Sequence, residues 1–135
     1  MALASSPVRM KLGGPQRVLL LAHPQALLAH MTEVVGSIEG LQLAGAFDNA
    51  EALVDWTVWD RSGWHVAFVD LTLPGDASRD VIRRLFAQPR PGTVVALSAH
   101  LWKEIREDCA RMGVYQLIEK GDLVAFRGVL EERMR

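Results

Sequence analysis

The feature that most constrains the fold of this chain is a short apolar run that ends in a carboxylate. Residues 65–69 read His-Val-Ala-Phe-Val and lead directly into Asp70, and a Leu-Pro-Gly turn follows at 73–75. A run of this length between turn signals is typical of a strand that is buried on both faces. Because open parallel sheets place their ligand chemistry at the carboxyl ends of the strands, Asp70 is the first candidate site residue.

The remaining chain alternates strand patterns with helix patterns. Short β-branched or leucine-rich runs precede amphipathic segments, with strands at about 16–22, 41–47, 65–70, 93–97 and 115–119. The helices are expected at about 24–35, 50–59, 77–87, 101–112 and 122–133. This order predicts an α/β domain over residues 16–135, with a five-stranded parallel sheet of flavodoxin-like order 2-1-3-4-5 and helices on both faces. Residues 1–15, rich in small residues, glycine and proline, are expected to form a flexible tail.

Composition excludes several classes of protein. The 135 residues are 50% hydrophobic and carry a formal net charge of −1, which gives no general attraction to nucleic acid or anionic membranes. The longest apolar run near the start, residues 18–22, is too short to span a bilayer, and residues 1–14 lack the apolar segment of a secretory signal. Cys109 is the only cysteine, so no internal disulfide forms. A cytoplasmic protein without nucleic-acid or membrane partners is expected.

Two further polar residues follow apolar runs in the same way as Asp70. Ser98 follows the run at 93–97, and Lys120 follows the run at 115–119. Since the carboxyl ends of parallel strands meet at one edge of a sheet, these three side chains are predicted to form a small polar pocket. A structural interpretation stays open, in which Asp70 neutralises Lys120 and caps a turn while Ser98 bonds a nearby backbone group.

These residues resemble the receiver domain of two-component response regulators over about residues 16–130. The resemblance is carried by Asp70 with the turn at 73–75, by Ser98-Ala99-His100, by Gly113 and by Lys120, and also by the segment at 43–53. It implies that Asp70 accepts a phosphoryl group from a histidine kinase, that Ser98 bonds the phosphate and that Lys120 pairs with the charged Asp70 or its phosphate. The cations offset the charge that builds up on a weak carboxylate nucleophile. A signalling domain rather than an enzyme is implied.

The resemblance fails where that family binds its metal. The family usually has two acidic residues at the end of the first strand, but Leu21, Ala22 and His23 stand there, whichever alignment is chosen. Mg²⁺ prefers an oxygen shell with one or two carboxylates, so Asp70 and the backbone of Thr72 are expected to bind it weakly or not at all. Because phosphoryl transfer needs that metal, weak or absent phosphorylation of Asp70 is predicted.

His23 has two interpretations at this position. As an imidazolium it would pair with Asp70 and replace part of the missing charge of the metal, which would make the domain respond to pH. The alternative is that His23 caps the helix beginning at Pro24 and lies partly in water.

Two departures concern the residues around Lys120. The family often has an aromatic residue three positions before the lysine, where this chain has Leu117, while the aromatic residue is Tyr115. The usual relay between an aromatic side chain and Ser98 is therefore in doubt. Gly121 replaces a proline that often follows the lysine, so a less constrained loop is expected.

The tryptophans point to surfaces as well as to the core. Trp56, Trp59 and Trp64 are expected to cover the edge of the core, whereas Trp102 is a candidate interface anchor at the start of the fourth helix. With Tyr115 it marks a surface for a protein partner, a histidine kinase or a downstream regulator, or for a homodimer formed through the fourth helix, fifth strand and fifth helix. No helix-turn-helix pattern follows the last helix, so output through protein contact is expected, although a piece of a longer regulator would have the same pattern.

Three functions remain at this point. The first is an atypical receiver that relays a signal by protein contact with little or no phosphorylation. The second is a conventional receiver that is phosphorylated on Asp70. The third is a small cofactor-binding protein or enzyme on a flavodoxin-like sheet, disfavoured because no glycine-rich phosphate loop is present.

Overall fold

The computed structural model describes residues 14–60 and 62–135. Five strands form one sheet: β1 (Gln16–Leu21), β2 (Leu41–Phe47), β3 (Val66–Asp70), β4 (Thr93–Ser98) and β5 (Gln116–Glu119). Five helices alternate with them: α1 (Gln25–Gly36), α2 (Ala50–Trp59), α3 (Ala77–Phe86), α4 (Lys103–Met112) and α5 (Leu123–Arg133). Most of the predicted tail, residues 1–13, lies outside the described residues.

The sheet confirms the predicted topology. Its strand order is β2-β1-β3-β4-β5, and every neighbouring pair is parallel. Each connection contains one helix, as parallel neighbours require. The order places β3 at the centre, so that its last residue, Asp70, lies between the ends of β1 and β4.

Alternating side chains of the central strands divide the core into two clusters. Val18 and Leu20 of β1 face the helices α1 and α5, whereas Leu19 and Leu21 face α2 and α3. In the first cluster the rings of Phe68 and Phe126 meet edge to face with their centroids 4.6 Å apart. Because strands β1, β3 and β4 are buried on both faces, they read as nearly continuous apolar runs.

Local signals fix where several elements begin and end. The Asn49 side chain accepts a hydrogen bond from the amide of Ala52 at 2.9 Å, and that of Asp122 accepts one from Ala125 at 2.9 Å. These two caps begin α2 and α5. Gly113 ends α4 with a φ of 85°, the left-handed conformation that favours glycine.

Some element boundaries and one burial prediction were wrong. Helix α4 begins at Lys103, two residues later than expected, and Trp102 is its N-cap; Tyr115 precedes β5 instead of starting it. Trp56 and Trp64 pack against the core, but Trp59 is 81% exposed. Trp59 is the last residue of α2, where the helix has passed the edge of the apolar cluster.

None of the helices within residues 14–60 and 62–135 combines the length and the apolar character that a bilayer crossing requires.

Cys109 is buried in α4, and burial raises the pKa of its thiol. A buried, protonated thiol behaves as a small apolar residue.

Candidate functional site

The candidate site lies at the carboxyl ends of the three neighbouring strands β3, β4 and β5. Asp70 is the last residue of β3, Ser98 is the last residue of β4, and Lys120 directly follows β5. The sequence predicted this convergence because all three strands run in the same direction.

The Asp70 carboxylate is completely buried and accepts four hydrogen bonds. Its Oδ1 accepts from the amide (2.8 Å) and the hydroxyl (2.7 Å) of Thr72. Its Oδ2 accepts from the amide of His23 at 3.2 Å and from the ammonium of Lys120 at 2.9 Å. A carboxylate offers about four acceptor positions, so the hydrogen-bonding capacity of Asp70 is filled by the protein itself.

This environment keeps Asp70 ionised. Burial by itself raises the pKa of a carboxyl group, but the hydrogen bonds from Thr72 and Lys120 and from the backbone of Thr72 and His23 outweigh burial, so the pKa of Asp70 lies below its usual value. Asp70 is therefore a buried anion that is compensated by one cation and by fixed dipoles.

The side chain of Thr72 links the acid to the lysine. Its hydroxyl donates to Asp70 and accepts from the Lys120 ammonium at 2.8 Å. The sequence indicated a role only for the backbone of Thr72, so this role of its side chain was not predicted. The position of a threonine two residues after an aspartate was an available signal, because Asp and Thr side chains commonly bond to backbone groups at that spacing.

Ser98 is buried beside the site but is not joined to Asp70. Its hydroxyl accepts from the amide of His100 at 3.3 Å, and its carbonyl accepts from the amide of Lys120 at 2.7 Å. The side chain thus has the backbone role that was left open as the structural interpretation of Ser98.

His23 lies over the carboxylate and does not cap a helix. Its Nε2 is 3.8 Å from Asp70 Oδ2 and 3.3 Å from the Thr72 hydroxyl oxygen. Helix α1 has Pro24 at its N-cap position without any side-chain cap, so His23 does not cap the helix as that interpretation expected, although its side chain is 41% exposed and does lie partly in water. The ring is placed where a charged imidazolium would face Asp70.

The residues at this edge do not fit Mg²⁺. The end of β1 supplies the buried apolar side chains of Leu21 and Ala22, and both Asp70 oxygens are engaged by the protein. Within residues 14–60 and 62–135 no three His, Cys, Asp or Glu side chains are grouped to hold a metal ion. A hexacoordinate Mg²⁺ would have to displace the Lys120 ammonium to reach a single carboxylate.

Of the two predicted interface residues, Trp102 is exposed beside this site, whereas Tyr115 is exposed at the opposite end of β5. Trp102 is 60% exposed and its indole stacks on the His100 ring, with centroids 4.3 Å apart and planes 3° from parallel. Tyr115, at 69% exposure, does not point inward beside Ser98. Gly121 has a φ of 91°, which proline cannot adopt, so the loop after Lys120 has a conformation that excludes proline at this position.

Comparisons with known proteins identify the fold. No family model and no curated protein match the sequence. Among solved structures, the receiver domain of NarL from Mycobacterium tuberculosis matches with a TM-score of 0.74 at 16% identity, covering 87% of this chain and 94% of that one. CheY of Borrelia burgdorferi, solved in a complex with CheX, BeF₃ and Mg²⁺, matches with a TM-score of 0.72 at 19% identity, covering 92% and 90%.

A longer regulator shares the same fold over part of its length. The response regulator RcsB of Salmonella typhimurium matches with a TM-score of 0.66 at 20% identity. The match covers 87% of this chain, which spans 60% of the RcsB chain. The chain described here therefore has the fold of CheY-like response regulator receiver domains.

Proposed function

We propose that this chain is an atypical receiver domain in two-component signalling, which relays a signal by protein contact with little or no phosphorylation of Asp70. The observation that carries the proposal is the buried Asp70 carboxylate with its four donors from Thr72, His23 and Lys120. A carboxylate in this state has no free oxygen to attack a phosphoryl group. With apolar residues at the end of β1, the metal that would neutralise the transferred phosphoryl group lacks ligands.

A conventional phosphorylated receiver is the second candidate function, and one observation favours it. The Lys120 ammonium lies 2.9 Å from Asp70, the arrangement that a phosphoryl acceptor needs for charge neutralisation. Phosphorylation would then require Thr72 and Lys120 to release the carboxylate oxygens, with only weakly held Mg²⁺ to replace them.

Chemical phosphorylation separates the two functions. The protein is incubated with Mg²⁺ and acetyl phosphate, and its mass is measured; Mg²⁺ with beryllofluoride is tested in parallel by amide NMR. We expect no added phosphoryl group and no shift of the Thr72 amide. Asp70→Asn is the control that identifies modification elsewhere. Robust modification that Asp70→Asn abolishes would establish the conventional function.

Contact with a protein partner is proposed to use the surface that carries Trp102 and Tyr115. Large exposed aromatic side chains are common anchors of interfaces. The partners considered are a histidine kinase, a downstream regulator and a second copy of the chain. The second copy would dock through α4, β5 and α5. We further propose a cytoplasmic location and no catalytic turnover.

Replacing Trp102 with alanine is expected to weaken self-association about tenfold or more, because the indole is a large exposed aromatic group at the start of α4, on the proposed surface. Sedimentation equilibrium of the wild type and the variant measures the effect, and circular dichroism checks that the fold is unchanged. Trp59→Ala is the matched control, since Trp59 is also exposed, at 81%, and lies on α2 outside the proposed surface. Identical self-association of the wild type and Trp102→Ala would rule out this dimer surface.

A further inference from the structure

A second cleft lies at the opposite edge of the sheet from Asp70. Its volume is about 790 Å³, and it is bounded by the end of α2, the start of β3, the turn at 88–92 and the last turn of α5. Ligand sites typically have volumes of about 300–1,000 Å³, so the cleft has room for a small organic molecule. The proposed function assigns no role to it.

The cleft carries more cationic than anionic groups. Among the described residues, three guanidiniums line it, those of Arg17, Arg90 and Arg133, together with one carboxylate, that of Asp60. Arg17 bonds to Asp60 at 3.4 Å, which accounts for that carboxylate. Within the described residues no carboxylate lies within ion-pair distance of Arg90 or Arg133. The cleft therefore holds two cations without a counterion.

Arg133 is a partly buried cation whose hydrogen bonding is incomplete. Its Nη2 donates to the carbonyl of His65 at 3.2 Å and to Gln16 Oε1 at 3.4 Å, but its buried Nε has no acceptor. Burial lowers the pKa of this guanidinium. A buried charge with an unused donor is unfavourable unless an acceptor reaches it, and an oxyanion would supply both an acceptor and the opposite charge.

Trp64 supplies a second unused donor at the same cleft. The residue is 3% exposed, and its indole Nε1 is buried without a partner. Buried donors without acceptors are uncommon in folded proteins, and the two residues that carry them in the described part of the chain, Trp64 and Arg133, both line this cleft. The cleft is therefore deficient in acceptors.

His65 adds no charge that would change this balance. Its Nδ1 accepts from the amide of Arg17 at 2.8 Å, so that nitrogen carries no proton. Burial, together with the charges of Arg133 and Arg17, lowers the pKa of His65. The ring is thus neutral near neutral pH, and the excess of positive charge comes from the arginines.

We propose that this cleft binds a small phosphorylated molecule, whose phosphate accepts hydrogen bonds from Arg133 and pairs with the charges of Arg133 and Arg90. A phosphate dianion matches two uncompensated guanidiniums, and it offers more acceptor oxygens than a carboxylate. The remaining volume accommodates the organic part of the ligand beside the prolines Pro15, Pro89 and Pro91.

Pyrophosphate is the probe, titrated into the full chain without Mg²⁺ while NMR follows the indole and guanidinium N–H signals. Sodium chloride at equal ionic strength is the reference. We expect saturable shifts of the Trp64 indole and Arg133 Nε signals. The indoles of Trp56, Trp59 and Trp102 are internal controls and should not move. Equal shifts of all four indoles, or the same shifts with sodium chloride, would overturn the proposal.

Variants test the role of each arginine. Arg133→Gln is expected to weaken pyrophosphate binding about tenfold or more, the effect of losing a charged hydrogen bond. Arg90→Gln should also weaken it, and because the Arg90 side chain makes no hydrogen bond or ion pair in the described structure, the fold is not at risk. Arg127→Gln, the matched control on α5, removes the same charge outside the cleft and should leave binding unchanged. Loss of affinity that is equal in Arg90→Gln and Arg127→Gln would mean a general charge effect and would contradict the site.

Succinate distinguishes the phosphate from other dianions. We expect it to bind more weakly than pyrophosphate at the same ionic strength, since each carboxylate has one oxygen fewer to accept the available donors. Equal affinity would overturn the assignment to phosphate. None of these measurements involves Asp70, so their outcome is independent of the proposed signalling function.

Discussion

Asp70→Asn is expected to lower the free energy of unfolding by about 3 kcal/mol at neutral pH, because removing one partner of a buried ion pair leaves the other uncompensated. The asparagine NH₂ group would also face a donor, since all four groups around the carboxylate are donors. Because Lys120 is 17% exposed, its ammonium regains some hydration in the variant. The loss of unfolding free energy is therefore expected near the lower end of the range for broken buried ion pairs. Urea unfolding of the two proteins measures the difference.

The pH dependence gives an independent check on Asp70. Its pKa in the folded state lies below the ordinary value of 3.8, so ionised Asp70 stabilises the fold above that pH. The stabilisation is lost as the pH falls through the folded-state pKa. The difference in unfolding free energy between wild type and Asp70→Asn should therefore be largest near neutral pH and should shrink in acid below about pH 4.

Asp80→Asn is the control for this prediction. Asp80 lies on the surface of α3 and pairs with Arg83 and Arg84. Exposed ion pairs contribute little to stability, so a much smaller loss is expected than for Asp70→Asn. If Asp70→Asn leaves stability unchanged or raises it, the carboxylate is not held by the donors described here.

Phe126→Ala is expected to cost about 4 kcal/mol of unfolding free energy, from lost burial and the cavity left behind. The side chain is buried between α5 and the sheet, with its ring edge to face against Phe68. Thermal and urea unfolding followed by circular dichroism measure the loss. Val124→Ala, which truncates an exposed side chain on the same helix, should have little effect. A loss below about 1 kcal/mol for Phe126→Ala would contradict the docking of α5 on this face.

The sequence predicted the sheet well because its signals are local and repeated. Each strand is a short apolar run between turn signals, and the five βα units permit few topologies once crossovers are right-handed. Single-residue boundaries were less predictable: Trp102 became a cap and Tyr115 stayed outside β5, since neighbouring residues of similar propensity do not fix the first hydrogen bond of an element.

The site was predictable only as far as strand ends determine position. Strand direction places Asp70 and Lys120 at one edge, where they form an ion pair. Which hydroxyl reaches the carboxylate depends on loop geometry: the sequence indicated Ser98 as the hydroxyl of the pocket, whereas the hydroxyl that contacts Asp70 belongs to Thr72. The cleft with Arg90 and Arg133 was missed because its residues come from five separate segments without a common motif.

Titration of the protein with Mg²⁺ tests most directly whether the protein's own hydrogen-bond donors occupy the Asp70 oxygens to which Mg²⁺ would otherwise bind. The amide signals of Thr72 and His23 report on the two carboxylate oxygens, because each amide donates to one of them. We predict no saturable shift of either amide at millimolar Mg²⁺, in the wild type as in Asp70→Asn. Saturable shifts of both amides in the wild type, lost in Asp70→Asn, would show that Mg²⁺ binds at Asp70 and would contradict the account.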